Sequence, residues 1–427
     1  MMNRRSVLEV EGSNFSSRFR KPLYSTYCFS RIPGTIEKLL TNQDVSCLPS
    51  DCFTPVQGGY DMVIFFFLDA FGWCFFEKYA GRYPLLQRFM HQGIVSKITS
   101  QFPSTTAAHV TTVSTNLEVG QSGVYEWYYY EPVVDRVIAP LLFTFAGEKT
   151  LGKLEKAGIE PHMLFPNYTF YQRLKTLGVD SYVVQPENIV GSPYSKTMTK
   201  GAHPIAYYRL EEGLKTVAES LLSPSETKSF FSIYFPDIDS VGHRSGVNSQ
   251  EFDSVVDRCL TAIEEELMSV LSLSHKKVAC LLSADHGMVE VDPKSTIFLN
   301  LIYPELSAKM QSNKRGDLIV PAGSCRDFFL HIQPEFIDEV VATLSQMLQG
   351  KAECYPVSEL IDKGFFGTLP VADVFLQRVG NVVVLPYEGE SVFWYIKGKF
   401  EQNFVAAHGG LTRKEMESVF LFYAKVD

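Results

Sequence analysis

Residues 61–69, DMVIFFFLD, set seven apolar, strand-forming residues in an unbroken row between two aspartates. A strand with one wet face alternates apolar and polar side chains. An unbroken row instead predicts a strand buried on both faces, with helices packed above and below its sheet. Phe230–Phe235 and Lys277–Ser283 repeat the pattern, and shorter strands are predicted at Val95–Phe102 and Ser181–Val184. Between them, Leu85, Leu86 and Phe89 share one face of a helix over Arg82–Gln92, and further helices are predicted over Thr169–Leu177, Tyr207–Leu222 and Gln250–Leu273. Strands alternating with helices predict an α/β fold: a doubly wound, mostly parallel central sheet with helices on both faces.

Such sheets bind ligands outside the carboxyl ends of their strands. Asp69 closes the first run, and Thr106 opens the helix that follows Val95–Phe102. Asp239 comes three residues after Pro236, and Asp285 follows Lys277–Ser283 after Ala284. His243 stands four residues past Asp239, and His286 adjoins Asp285. A carboxylate and an imidazole released from the end of a buried strand suit one metal ion. Each residue alone has a plainer meaning: Asp69 as a helix N-cap, and Ser104, Thr105 and Thr106 as a string of capping hydroxyls. Thr106 at a helix start also has backbone N–H groups and the helix dipole beside it, which favour an anion. Four placements along one sheet edge favour a site over four separate caps.

At 427 residues the chain is long enough for a large α/β domain with insertions. It divides into a polar extension over 1–58, laid on the core or partly disordered, and an α/β core over 59–288 and 406–427. A smaller α+β insertion over 289–405 brings His408 back over the sheet edge. The net charge of −9 supplies no basic excess to displace counterions, which argues against a nucleic-acid polymer as partner. No Cys-x-x-Cys pair occurs; Cys74, Cys259 and Cys280 sit in apolar patterns as reduced core residues, and Cys47 and Cys52 are candidates for a bridge only in an oxidising compartment. The basic N-terminus has no apolar stretch behind it, and Met62–Leu68 is too short to span a bilayer. The expectation is therefore no signal peptide, no membrane span and a reducing, cytoplasmic location.

FFFLDAF, FPSTTAAHVTT, YFPDIDSVGHRSG, LLSADHGM and AAHGGL follow one another between residues 61 and 411. In that order they resemble the alkaline phosphatase superfamily, in its branch of nucleotide pyrophosphatases and phosphodiesterases. The resemblance implies two divalent metal ions, zinc in the usual case with manganese as the alternative. It implies Asp239, His243 and His408 as ligands of one ion, and Asp69, Asp285 and His286 as ligands of the other, with the Thr106 hydroxyl added. Thr106, three residues after Pro103, is the implied nucleophile, and Thr105 is its rival. The implied substrate is a small-molecule phosphate ester, with nucleotides among the candidates, cleaved through a phosphothreonine.

The chain departs from the family pattern in places. Phosphodiesterases of the branch often carry an asparagine where counting from Gly123 gives Trp127, whose ring can stack on a substrate but whose N–H only donates. His109, one helical turn past Thr106, is a candidate substrate contact or a packing residue. Arg326 and Arg244 are candidates to grip a second charged oxygen, and His203 and His331 read as structural. The Cys-x-Pro-x-Arg motif of the sulfatase branch is absent around 102–110. The expected activity is that of a two-metal phosphodiesterase or nucleotide pyrophosphatase. The alternatives on the same site are a phosphomonoesterase, a phosphonate hydrolase and a phosphosugar mutase. The alternative from another class is a catalytically inactive, metal-stabilised binding protein.

Overall fold

The computed structural model describes residues 1–148 and 150–426. Seven strands form the central sheet: β1 Met62–Leu68, β2 Ile94–Thr99, β3 Val179–Pro186, β4 Ala202–Tyr207, β5 Lys228–Phe235, β6 Val278–Ser283 and β7 Glu417–Lys425. Their spatial order is β2-β7-β6-β1-β5-β3-β4. Only β7 runs against the rest, antiparallel to both β2 and β6. Leu68 pairs with Phe235 of β5, and Phe67 pairs with Ser283 of β6. The three central strands therefore end level, and Asp69, Pro236 and Ala284 leave the sheet at one edge.

The two-sided burial of β1 is literal. Met62, Ile64, Phe66 and Leu68 enter one apolar core, and Val63, Phe65 and Phe67 enter another. Six helices matter here: α1 Arg4–Gly12, α2 Ile32–Thr41, α3 Thr106–Thr115, α4 Leu210–Leu222, α5 Asp237–Ser245 and α6 Gln250–Ile263. Leu214 and Val217 of α4 and Phe252, Val256 and Leu260 of α6 build the first core. Ile32, Ile36 and Leu39 of α2 build the second, together with Val113 of α3 and with Phe170 and Leu174.

Residues 1–58 are thus more than an appendage. Tyr27, Phe29, Ile32, Ile36, Leu39 and Leu40 are all completely buried, and they cover the face of β1 that carries Phe65 and Phe67. Fully burying one such side chain stabilises by roughly 1.5–3 kcal/mol, so the segment contributes a large share of that core. A chain starting at residue 59 is expected to expose this face and to lose cooperative unfolding. Calorimetry with a dye that binds exposed apolar surface checks this; a sharp transition without dye binding would refute it.

Some boundaries differ from the periodic reading. Tyr207 ends β4, and the helix after it starts only at Leu210. The pattern over 250–273 is α-helical to Ile263, then widens into a π-turn over Glu264–Met268 and tightens into a 3₁₀ turn over Leu271–Leu273. An apolar period shows which face is buried but not a change in hydrogen-bond reach along a continuous coil.

Residues 289–405 contain an antiparallel four-stranded sheet in the order Ala322–Gly323, Phe328–Leu330, Val382–Pro386, Ala352–Pro356. Its inner side is packed with the aromatic run before it: Phe329, Val383, Leu385, Phe366 and Phe375 share one core with Val124, Tyr125 and Tyr129. At the end of this region Ala406–Ala407 pairs with Val289–Glu290, which returns His408 to the central sheet edge. All eight cysteines are free, Cys47 and Cys52 included. Among the described residues no helix is long and apolar enough to cross a membrane.

Candidate active site

Three chain reversals at the level edge of β1, β5 and β6 deliver most of the six side chains expected to hold metal. After β5 the chain enters α5 directly, so Asp239 and His243 sit one helical turn apart on a helix. A side chain at Gly242, between them, would drive its Cβ to 2.4 Å from Met288 Sδ. Asp69 leaves β1, and Asp285 and His286 leave β6. His408 arrives on the loop after Ala407, and that loop is zipped to the one before α3. Ser104 N–H donates to the Gly409 carbonyl (3.1 Å), and Ser104 Oγ donates to the Gly410 carbonyl (2.7 Å). Gly409 has φ +126, and its Cβ would meet Asp327 Oδ1 at 2.6 Å, so only glycine fits after His408.

The six side chains form two groups, Asp239 with His243 and His408, and Asp69 with Asp285 and His286. Asp239 Oδ1 is 3.3 Å from Nε2 of both His243 and His408. His286 Nε2 is 3.2 Å from Asp285 Oδ2 and 3.5 Å from Asp69 Oδ1. The rings of His286 and His408 stack with centroids 3.6 Å apart, which joins the two groups into one centre. Thr106, the first residue of α3, lies against the second group, with Oγ1 3.3 Å from His286 Nε2 and 3.4 Å from Asp69 Oδ1. Thr105, the residue before, is buried and precedes the helix as its N-cap.

The donor set fits divalent cations on three observations. Each histidine pairs its Nδ1 with a main-chain carbonyl, His243 with Ala406 (2.8 Å), His408 with Ser104 (2.9 Å) and His286 with Gly287 (3.1 Å). In the neutral imidazole that leaves Nε2 as the unprotonated nitrogen facing the group, the usual outer support of a metal-bound imidazole. Asp285 Oδ1 accepts the N–H groups of Ala70 and His286 (3.0 Å each), while its Oδ2 is buried without a partner, as is Asp239 Oδ1. Burial and then the charges of Asp285 and Asp239 push the Asp69 carboxyl well above the usual carboxylate range. Burial opposes charge on His408, but Asp239 outweighs it and raises the imidazole to about 9. Asp239 is held low by His243 and His408 against its burial, and Asp285 is held low by His286. Buried carboxylates this close demand compensating positive charge, and mixed imidazole and carboxylate donors suit zinc.

Of the remaining sequence candidates, Trp127 lines the cavity beside Thr106, Asp69 and Asp239, and it is 38% exposed, between the buried Tyr125 and Tyr129. His109 is not a substrate contact. Its ring is fully buried, Nδ1–H donates to the Thr105 carbonyl (2.7 Å), and Nε2 accepts from Gln101 N–H (3.0 Å) and Ser100 Oγ (2.9 Å). Burial lowers it to about 4. A histidine protonating near 6.5 when unfolded and near 4 when folded costs stability as pH falls between those values, because the unfolded chain then binds the extra proton. Metal-free protein is expected to lose stability from about pH 6.5 toward about 4, and His109→Gln to lose less over the same range. Urea midpoints at about pH 7 and about pH 5 check this; equal losses would refute it.

Arg326 is likewise unavailable to a phosphate. It is completely buried and forms a two-pronged pair with Glu415 (2.9 and 3.0 Å). Arg244 is exposed on α5. Sequence patterns alone miss Tyr234, whose hydroxyl donates to Asp69 Oδ2 at 2.5 Å, and give Ser104 only a capping role. Tyr234 is within reach of strand alternation: it faces the same side as Ser232, and both line the cavity.

A doubly wound sheet carrying two joined carboxylate–imidazole groups and a helix-start hydroxyl matches a hydrolase of the alkaline phosphatase type. The chain belongs to the type I phosphodiesterase / nucleotide pyrophosphatase family, whose model matches residues 63–411, and by class it is a phosphodiesterase/pyrophosphatase hydrolase. Among solved structures, murine ectonucleotide pyrophosphatase/phosphodiesterase 5 is similar in fold, with TM-score 0.61 and 17% identity over 85% of this chain and 88% of that one. An inactive form of the murine protein in complex with AMP (16% identity, 85% of this chain and 87% of that one) and the human protein (15%, with the same shares) also give a TM-score of 0.61. No curated protein matches the chain.

Proposed function

We propose that this protein hydrolyses phosphodiesters of small molecules, with Thr106 as nucleophile and a phosphothreonine intermediate. The observation that carries the reading is the position of the Thr106 hydroxyl, against the Asp69, Asp285 and His286 group at the start of a helix, on the wall of a cavity it shares with Asp239. Asp239, His243 and His408 would hold one divalent cation, and Asp69, Asp285 and His286 the other. Two such ions, once bound, would supply the positive charge that makes a threonine alkoxide accessible and that the phosphoryl oxygens and leaving oxygen need.

The residues themselves set the rest of the chemistry. Thr106 Oγ attacks phosphorus as the bond to the leaving alkoxide breaks, giving Thr106–O–phosphoryl; water then attacks phosphorus, releasing a phosphate monoester and restoring the hydroxyl. No side chain caps α3, so its first N–H groups are free to face a phosphoryl oxygen. Tyr234 holds Asp69 in place. Trp127 walls the side where an asparagine was expected. The diester reading gains support from Arg326, which is locked to Glu415 and offers no grip on a second charged oxygen. The AMP bound by the murine neighbour keeps nucleotide esters among the substrates to test.

The test compares initial rates of zinc-loaded protein on a nitrophenyl phosphodiester and its matching monoester, with Thr106→Ala as the blank. A Thr106-dependent preference for the diester is expected. A preference for the monoester would move the protein to the phosphatase side. Two bound metals with no turnover on either would point to a phosphonate, a mutase reaction or an inactive site.

A further inference from the structure

A cavity of about 330 Å³ opens beside Thr106 and runs away from the metal-ready groups. That is the small end of the range for ligand pockets, about 300–1,000 Å³. Its floor is the central sheet. Phe67 of β1 pairs with Tyr234 of β5, and Val184 of β3 pairs with Ile233, so Gln185 falls beside Tyr234 in the same row. Gln185 is thus two strands across from Phe67, about 10 Å away at normal strand spacing. The walls are apolar: Val110 and Val113 come from α3, one and two turns past Thr106, and Tyr171, Tyr194, Met198 and Leu141 come from the segments above the sheet.

Two features set the chemistry of the occupant. First, among the described residues the lining contains no Lys, Arg or His, and its only charged members are Asp69 and Asp239 at the metal end. Nothing there compensates a second negative charge. Second, part of the polar wall is already engaged inside the protein. Tyr194 pairs with Thr111 (2.7 Å), Thr199 Oγ1 donates to the Ser195 carbonyl (2.8 Å), and Ser192 Oγ accepts from Ser195 N–H (3.0 Å). Gln185 is the buried amide of the lining. It is 6% exposed, and its Nε2 has no partner. A buried amide N–H with no acceptor is costly unless a ligand supplies one.

We infer that this cavity binds the organic substituent of the substrate, and that the substituent is uncharged, mainly apolar and ends in a hydrogen-bond acceptor for Gln185. The inference rests on the phosphodiesterase reading for its choice of site, and it separates this protein from one built around nucleoside polyphosphates. The phosphoryl group sits at Thr106, an aryl or compact alkyl body packs on Val110, Val113 and the two tyrosines, and a carbonyl or ether oxygen meets Gln185 Nε2.

Calorimetric binding of non-hydrolysable phosphonates to zinc-loaded protein tests this without relying on turnover. Phenylphosphonate is expected to bind at least tenfold tighter than methylphosphonate, and 4-acetylphenylphosphonate several-fold tighter again. The charged isostere 4-carboxyphenylphosphonate is expected to bind at least tenfold weaker than the acetyl compound. Gln185→Leu, similar in size and free of a polar group to satisfy, is expected to erase the acetyl advantage and keep the phenyl one. Val110→Thr, matched in shape, is expected to reduce the phenyl advantage. Equal binding of methyl and phenyl compounds, tighter binding of AMP than of the acetyl compound, or an acetyl advantage that survives Gln185→Leu would each overturn the inference. Failure of the functional reading shows elsewhere, as phosphonate binding in this order without any Thr106-dependent hydrolysis.

Discussion

Thr106→Ala is expected to lower phosphodiester turnover by roughly 10³-fold or more, while the protein still binds two metal ions and melts at an unchanged temperature. The loss is large because a nucleophile has no substitute: without Oγ no phosphothreonine forms, and only direct attack by water is left. The metal content survives because the three carboxylates and three imidazoles of the two groups are untouched. The fold survives because Thr106 opens α3 without capping it, and alanine is the best helix former at that position. Elemental analysis, a melting curve and single-turnover rates on one preparation decide the matter. Full activity would remove Thr106 from its role and leave Thr105 as the remaining hydroxyl. Loss of metal together with activity would make Thr106 a structural ligand first.

Arg326→Met should destabilise the protein by about 3–5 kcal/mol, because it leaves the Glu415 carboxylate buried and unpaired. Both side chains are completely buried. The guanidinium also donates to the carbonyls of Pro386, Tyr387 and Glu390, and Glu415 in turn accepts from Gly410 N–H and from the Thr412 hydroxyl. The pair therefore ties the loop carrying His408 to the strand end at Pro386. Arg326→Met/Glu415→Leu removes both charges and is expected to regain much of the loss, as apolar replacement of a buried pair often does. Urea denaturation of the single and double variants measures this. A single variant within about 1 kcal/mol of the parent would show that the pair carries little. Binding of zinc by the single variant is expected to weaken as well, since His408 loses its anchor.

Residue type alone leaves both Arg326 and His109 open. Arg326 reads as a phosphate grip and turns out to be an internal clasp; its partner Glu415 is 89 positions away, and no local pattern pairs them. His109 lies one turn from Thr106 in a helix and would reach a substrate if that face were open, but Phe29 packs on its ring with centroids 4.8 Å apart. Phe29 belongs to the first 58 residues, whose polar composition hides how deeply their few aromatics are buried. Asp239 and His243 are legible in the sequence because they follow a buried apolar strand in the family's Asp-x-x-x-His spacing; that this spacing lies on one face of a helix emerges only from the structure.

What the sequence determined by itself is the sheet and the edge. Continuous apolar runs have no stable place except between two helical layers, and strands in such a layer release their next residues at a common edge, so Asp69, Asp239 and Asp285 were bound to be neighbours once the runs were strands. Tertiary structure alone decided what covers each face, which polar side chains remain unpartnered and where a cavity is left. Those properties depend on contacts between residues far apart in the chain: Ser104 with Gly410, Arg326 with Glu415, and Gln185 in a row with Phe67. Burial and the loss of water turn each contact into a large energy, and sequence spacing carries no record of it.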